Sequence, residues 1–173
     1  LVPEAAGKKL TSHGNKCIPI LAGCMNVGLA KLPKPERLFA VGFDQPWYYS
    51  VHSQYAALAG PDSAVIHLAK HLHATGMETG GGTEQELEKV LDRLQPGWRD
   101  FVEEREYLPR LIVSNAVVSA REGGLAGRPG PELPGAPGLY VAGDWVGPYM
   151  LADAALWSAD RAAKLTNEYL ALR

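Results

Sequence analysis

Gly143 and Asp144 stand between a short apolar run, Leu139-Tyr140-Val141-Ala142, and a long helical pattern that opens at Leu151. A glycine turn with one carboxylate at the mouth of a helix is a place for hydrogen-bonding chemistry. The helix N-terminus presents unpaired N–H groups and about half a positive charge, which suits an anionic or carbonyl-bearing group. Asp144, just before it, can accept hydrogen bonds from sugar-like hydroxyls. The plainer reading, that Asp144 and Asp153 only cap the helix, stays open on pattern alone.

Histidines are the next reactive group. His67, His71 and His73 lie close together, but SAVIHLAKHLHATG reads as a strand running into a turn, whereas sharing one face is read as requiring a helix. No carboxylate or cysteine at ligand spacing accompanies them, so no metal site is expected. Cys17 and Cys24 have neither CxxC nor zinc spacing and read as two lone thiols of a reducing, cytoplasmic setting. No Ser/His/Asp order or nucleophile elbow supports a hydrolase.

The elements that must position these residues follow from periodicity. Leu139 to Ala142 is expected to be a strand covered on both faces. After it, Leu151, Ala155, Ser158, Ala162, Leu165, Tyr169 and Leu172 recur four and three apart and predict a helix almost to the C-terminus. Its inward side is small at the start (Ala152, Ala154, Ala155, Ser158), which lets a backbone approach closely.

Leu38–Phe43 and Trp47–His52 are β-rich runs separated by Asp44-Gln45-Pro46, a hairpin, and Ser63–Ala69 is a third strand. Alternation sets Trp47, Tyr49 and Val51 against Tyr48, Ser50 and His52. Trp47, Tyr49 and His52 are the candidate substrate-pocket residues, with ordinary core packing as the competing reading. Thr83 and Glu86 suggest a capping box opening a helix with Leu87, Val90, Leu91 and Leu94 on one face, which Pro96-Gly97 ends. Its polar side, Glu84, Glu88, Lys89, Asp92 and Arg93, reads as solvated. Met77–Gly82 is expected to be a flexible loop, Thr11–Lys16 a polar turn, Ile18–Leu32 an irregular strand or crossover, and Phe101–Val118 extended. Gly123–Gly138 is a Pro/Gly loop; Arg121 just before it and Arg128 within it could meet a phosphate, with ordinary surface arginines as the default reading.

The stretch AGDWVGPYMLADAALWSADRAA resembles the C-terminal flavin-binding motif of the phytoene desaturase-like branch of the FAD-dependent amine oxidase superfamily. The likeness extends more loosely through LPKPERLFAVGFDQPWYYSVHS and LQPGWRDFVEEREYLPRLIVSNAVVSA. It implies an α/β (α+β mixed) chain: the C-terminal portion of a two-domain FAD/NAD(P)-binding flavoprotein fold, with a mixed substrate-domain sheet and a terminal strand-helix completing the FAD domain. By the same resemblance, residues 1–32 cross over from the FAD domain, 33–105 belong to the substrate domain and 106–173 return to the FAD domain. Gly143 and Asp144 would lie against the FAD ribityl and pyrophosphate. Met150, Leu151 and Ala152 would offer backbone N–H groups to the pyrimidine side of the flavin, where negative charge collects on reduction. The activity implied is oxidation of a small, largely apolar or amine substrate by hydride transfer to flavin.

At 173 residues, 46% hydrophobic and 21% charged, the chain has the composition of a globular protein of one ordinary domain. A net charge of −2 without a Lys/Arg cluster favours neither nucleic acid nor an anionic membrane. No apolar run approaches the ~18 residues of a transmembrane helix. A G-x-G-x-x-G between strand and helix is missing; Gly80-Gly81-Gly82 has no βαβ unit around it. With a Leu-Val-Pro start, this suggests a chain cut from something longer, whose N-terminal FAD-binding half, on the same or a separate chain, supplies the rest of the cofactor site. A non-catalytic interaction module, or a truncated fragment of the same fold, is the alternative.

Overall fold

The computed structural model describes residues 4–15, 17–72 and 81–173. His73, and residues 77–80 of the expected loop, lie outside them. The elements are α1 (Glu4–Gly14), β1 (Ile20–Leu29), β2 (Phe39–Val41), β3 (Trp47–Val51), β4 (Ala64–Leu72), α2 (Gly81–Leu94), β5 (Val102–Ser114) and α3 (Leu151–Ala171), joined by short 3₁₀ turns. Mixed helices and one antiparallel-paired sheet make an α/β mixed fold. Two compact units divide it: Leu1–Ile20 with Ser114–Arg173, and Leu21–Val113.

The Leu21–Val113 unit is a sheet in the order β2-β3-β4-β1-β5 with α2 on one face. The hairpin closes at Asp44-Gln45-Pro46, pairing Val41 with Tyr48, and β4 pairs antiparallel with both β3 and β1. Ile18–Leu32, expected to be irregular, contains instead a regular ten-residue strand near the middle of the sheet. Its glycines are points of close approach rather than breaks: a Cβ on Gly23 would stand 2.6 Å from the Thr83 methyl of α2.

Met25, Val27, Leu29, Tyr49, Val51, Ile66 and Leu68 pack with Leu87, Leu91 and Trp98 into the core of this unit. Each large side chain buried there stabilises the fold by roughly 1.5–3 kcal/mol. Gln95 is fully buried and ties the core to the loop before β2. Its Oε1 accepts the Lys34 N–H at 2.7 Å, while its Nε2 donates to Lys34 O and to the Tyr49 hydroxyl, each at 2.9 Å.

The capping box at Thr83 and Glu86 does not form. α2 begins earlier, at Gly81, with Thr83 buried beneath Gly23 and Glu86 paired to Lys70 at 2.6 Å. The polar side of α2 is not merely solvated either: Arg105 joins Glu84 and Glu88, each at 2.6 Å.

In the other unit, α1 continues through Gly14, so most of the expected polar turn is helical. The strand expected at Leu139–Ala142 is reduced to a single bridge between Glu132 and Tyr140. Leu139, Tyr140 and Val141 are half-buried and Ala142 is exposed. A strand holds its shape through ladder partners on its flanks, and among the described residues only Glu132 supplies one. No helix among the described residues is long and apolar enough to cross a membrane.

Candidate functional site

The turn from Gly143 to Met150 is built by long-range fastenings that no local pattern reveals. Ser158, fully buried two turns into α3, accepts the Gly143 N–H at 2.9 Å. Its hydroxyl lies 3.2 Å from Gly143 O and 3.1 Å from Ala155 O. The small residues at the start of the helix therefore admit this turn itself. Gly147 requires its glycine: φ is +84°, and a Cβ would stand 2.3 Å from the Trp157 ring. Arg128 donates to Tyr149 O and, at 3.1 Å, to Ala116 O, holding the turn from the opposite side.

Asp144 caps nothing in α3. Its carboxylate accepts the Asn115 backbone N–H at 2.8 Å, the Asn115 side chain at 2.9 Å and the Ser114 hydroxyl at 3.1 Å. Burial works against its ionisation, but these donors, with Arg128 nearby, outweigh it and hold the carboxyl below its ordinary pKa. A carboxylate has about four lone-pair positions, so roughly one remains for an external hydroxyl.

Met150 stands at the N-cap of α3, with no side chain capping the helix. The N–H of Ala154 is the first to bond, to Met150 O at 3.3 Å. Among the described residues, the N–H groups of Met150, Leu151, Ala152 and Asp153 have no acceptor. Leu151 has φ +52°, the one non-glycine residue with positive φ among those described. A branched side chain there costs about 1–3 kcal/mol, a strain that clusters at ligand clamps. Tyr149, Met150 and Leu151 are each about half exposed.

These observations test the fit of a flavin. The helix end fits: free donors, a dipole and an apolar rim converge at Met150, Leu151 and Ala152. Gly143 fits less well, since its N–H is committed to Ser158 and its carbonyl accepts the Val146 N–H at 3.1 Å. It shapes the turn instead of donating to a ligand. A cleft of about 300 Å³ lies in the same unit, lined by Cys17, Val117, Ser119, Arg128, Pro129 and Trp145 among others. Burial raises the Cys17 pKa, with Arg128 opposing.

α3 carries two apolar stripes where the sequence suggests one. Ala154, Ser158 and Leu165 face inward, whereas Leu151 and Leu172 at the ends of the expected stripe are exposed. A second stripe, Ala152, Leu156, Ala159, Ala163 and Leu170, is exposed along its length, with Leu156 71% and Leu170 62% exposed. Its steps of four and three run from Ala152 to Ala163, and Leu170 lies two turns further on.

The three candidate pocket residues are not brought together. Tyr49 is fully buried in the core, its hydroxyl donating to Arg37 O at 2.8 Å, and burial raises its pKa. Trp47 packs against the same core. His52 instead follows β3 and stacks on His67, with ring centroids 5.1 Å apart. His67 and His71 share a face because strand side chains repeat every second residue, but they stand four residues apart along β4, opposite Asn26 and Ala22. Among the described residues no group of three His, Cys, Asp or Glu is placed to hold a metal.

The fold is similar to the crystal structure of an oxidoreductase from Methanosarcina mazei, with 16% identity and a TM-score of 0.61. The match covers 95% of this chain and 38% of that one, so the chain spans well under half of its neighbour's length. At this identity the likeness concerns the fold. No family model and no curated protein matches the sequence.

Proposed function

We propose that this chain is the C-terminal part of an FAD-dependent oxidoreductase of the phytoene desaturase-like kind, and that the entrance of α3 receives the flavin. The observation carrying this reading is the set of four unbonded N–H groups at Met150–Asp153, beside a strained Leu151 and an apolar rim. When bound, the flavin supplies a hydride acceptor for a carbon-hydrogen or carbon-nitrogen bond. This chain's own residues bind and orient. The α3 N-terminus places positive potential where the reduced ring gathers negative charge, and Asp144 offers its remaining acceptor position to a ribityl hydroxyl. Gly143 contributes the bend that sets both.

The reading includes an N-terminal FAD-binding half, on the same or a separate chain. The exposed stripe at Ala152, Leu156, Ala159, Ala163 and Leu170 is the surface that this half would cover. The name of the structural neighbour, an oxidoreductase, supports the general oxidoreductase part of the reading. The substrate is a small apolar or amine molecule, and the setting cytoplasmic.

The test is flavin retention. The chain is produced with an N-terminal dinucleotide-binding half, loaded with FAD and passed through gel filtration. Flavin absorbance should travel with the protein and fall sharply in Ala152→Glu, which sets a carboxylate among the free N–H groups while favouring the helix itself. Retention unchanged by that substitution would overturn the placement. No retention with either protein would overturn the cofactor.

A further inference from the structure

On the face of the sheet opposite α2, five polar side chains from separate elements form one array. Glu106 of β5 accepts a hydrogen bond from Asn26 Nδ2 of β1 at 3.0 Å. Asn26 Oδ1 in turn lies 2.7 Å from His67 Nδ1 of β4. His52, just beyond β3, stacks on His67 at 5.1 Å with the rings 23° from parallel, and its Nε2 is 3.3 Å from the Tyr48 hydroxyl.

The chemistry of this chain of contacts fixes a proton. A carboxylate only accepts, so the Asn26 amide must turn its NH₂ toward Glu106 and its oxygen toward His67. That oxygen needs a donor, and among the described residues His67 Nδ1–H is the one that faces it. Neutral His67 is therefore held as the Nδ1–H tautomer, and its Nε2 carries an unshared lone pair. Among the described residues nothing bonds to this Nε2, yet no buried side-chain nitrogen or oxygen lacks a partner, so the atom is reached by solvent. Burial, and then the neighbouring His52, hold the His67 pKa below the ordinary imidazole value, which favours the neutral ring. Beside it the surface is apolar and aromatic. Phe39, 58% exposed, meets Tyr48 edge to face at 5.6 Å, and Val41 is about half exposed.

We infer that this face binds a small organic molecule with an apolar body and one O–H or N–H donor, the donor bonding to His67 Nε2 and the body lying on Tyr48, Phe39 and Val41. The site lies wholly within the Leu21–Val113 unit and does not depend on the flavin reading. Of the residues singled out by sequence pattern, it uses His52, His67 and Tyr48. Asn26 and Glu106 come from β1 and β5, too far away in sequence for any spacing to connect them with the histidines.

Two measurements on the full chain test it. Long-range ¹⁵N–¹H correlation spectra should show His67 as the Nδ1–H tautomer. Phenol, which carries the donor, should shift the His67 Nε2 resonance saturably, whereas anisole, its methyl ether, should bind at least about tenfold more weakly. Asn26→Leu should release the ring to the Nε2–H tautomer and abolish that preference, with dispersed amide spectra as the control for folding. The unsubstituted protein alone is decisive: an Nε2–H tautomer, equal binding of phenol and anisole, or no saturable shift at His67 would each overturn the inference.

Discussion

Replacing Ser158 by alanine probes the joint on which the candidate site turns. The hydroxyl is fully buried, accepts the Gly143 N–H at 2.9 Å and donates within reach of two carbonyls. Alanine leaves the Gly143 N–H without its acceptor, and a partly buried donor so orphaned costs about 1–3 kcal/mol. Two effects reduce the loss. Alanine favours a helix interior by up to ~0.7 kcal/mol, and Ala155 O sits in the helical ladder in any case. The expected net destabilisation is about 1–2 kcal/mol, confined to the unit of residues 1–20 and 114–173. Native-state hydrogen exchange reads it directly: the Gly143 amide should exchange about tenfold faster for every 1.4 kcal/mol, while Leu68 and Leu91 in the other unit keep their protection. An unaltered Gly143 amide in a folded variant would show that Ser158 is only a filler of space, and the account of the turn would fail.

Asp144 predicts a pH dependence. Its folded pKa is depressed, so its contribution is full above the unfolded value near 3.9 and is lost as pH falls through the lower folded value. Urea midpoints should fall as the pH drops below about 4, and Asp144→Asn should flatten that slope; an identical slope would assign it to other carboxylates. Gly147→Ala should destabilise by about 1–3 kcal/mol, since φ of +84° and the Trp157 ring both oppose a side chain, and a circular-dichroism melt would register it. A melting temperature equal to that of the parent would mean the turn relaxes freely.

How much of this was legible in the residues depends on how local each feature is. The hairpin around Asp44-Gln45-Pro46 and the long helix to Ala171 were, because period two, period 3.6 and a proline turn are written within one element. The strand at Leu139–Ala142 was not, since among the described residues its apolar run forms a single ladder bridge, with Glu132, and pairing is a property of neighbours rather than of the run. Thr83 and Glu86 have capping-box spacing, but Gly23 draws Thr83 under the sheet and Lys70 draws Glu86 away. At the site, Asp144 was found by its place before a helix, yet its true partners, Ser114 and Asn115, lie 30 and 29 residues away. Tyr49 and His52 were grouped as aromatic pocket residues although alternation already set them on opposite faces, and Gln95 claims the first for the core.

The central claim is that the α3 entrance holds a flavin shared with an N-terminal half, and the most direct measurement is FAD affinity of the joined halves by fluorescence titration. The account predicts tight retention in the parent protein and a loss of about tenfold or more in Ala152→Glu, from repulsion at a helix end that otherwise attracts the ring. Equal FAD affinity in the two proteins, with both folded, would contradict it.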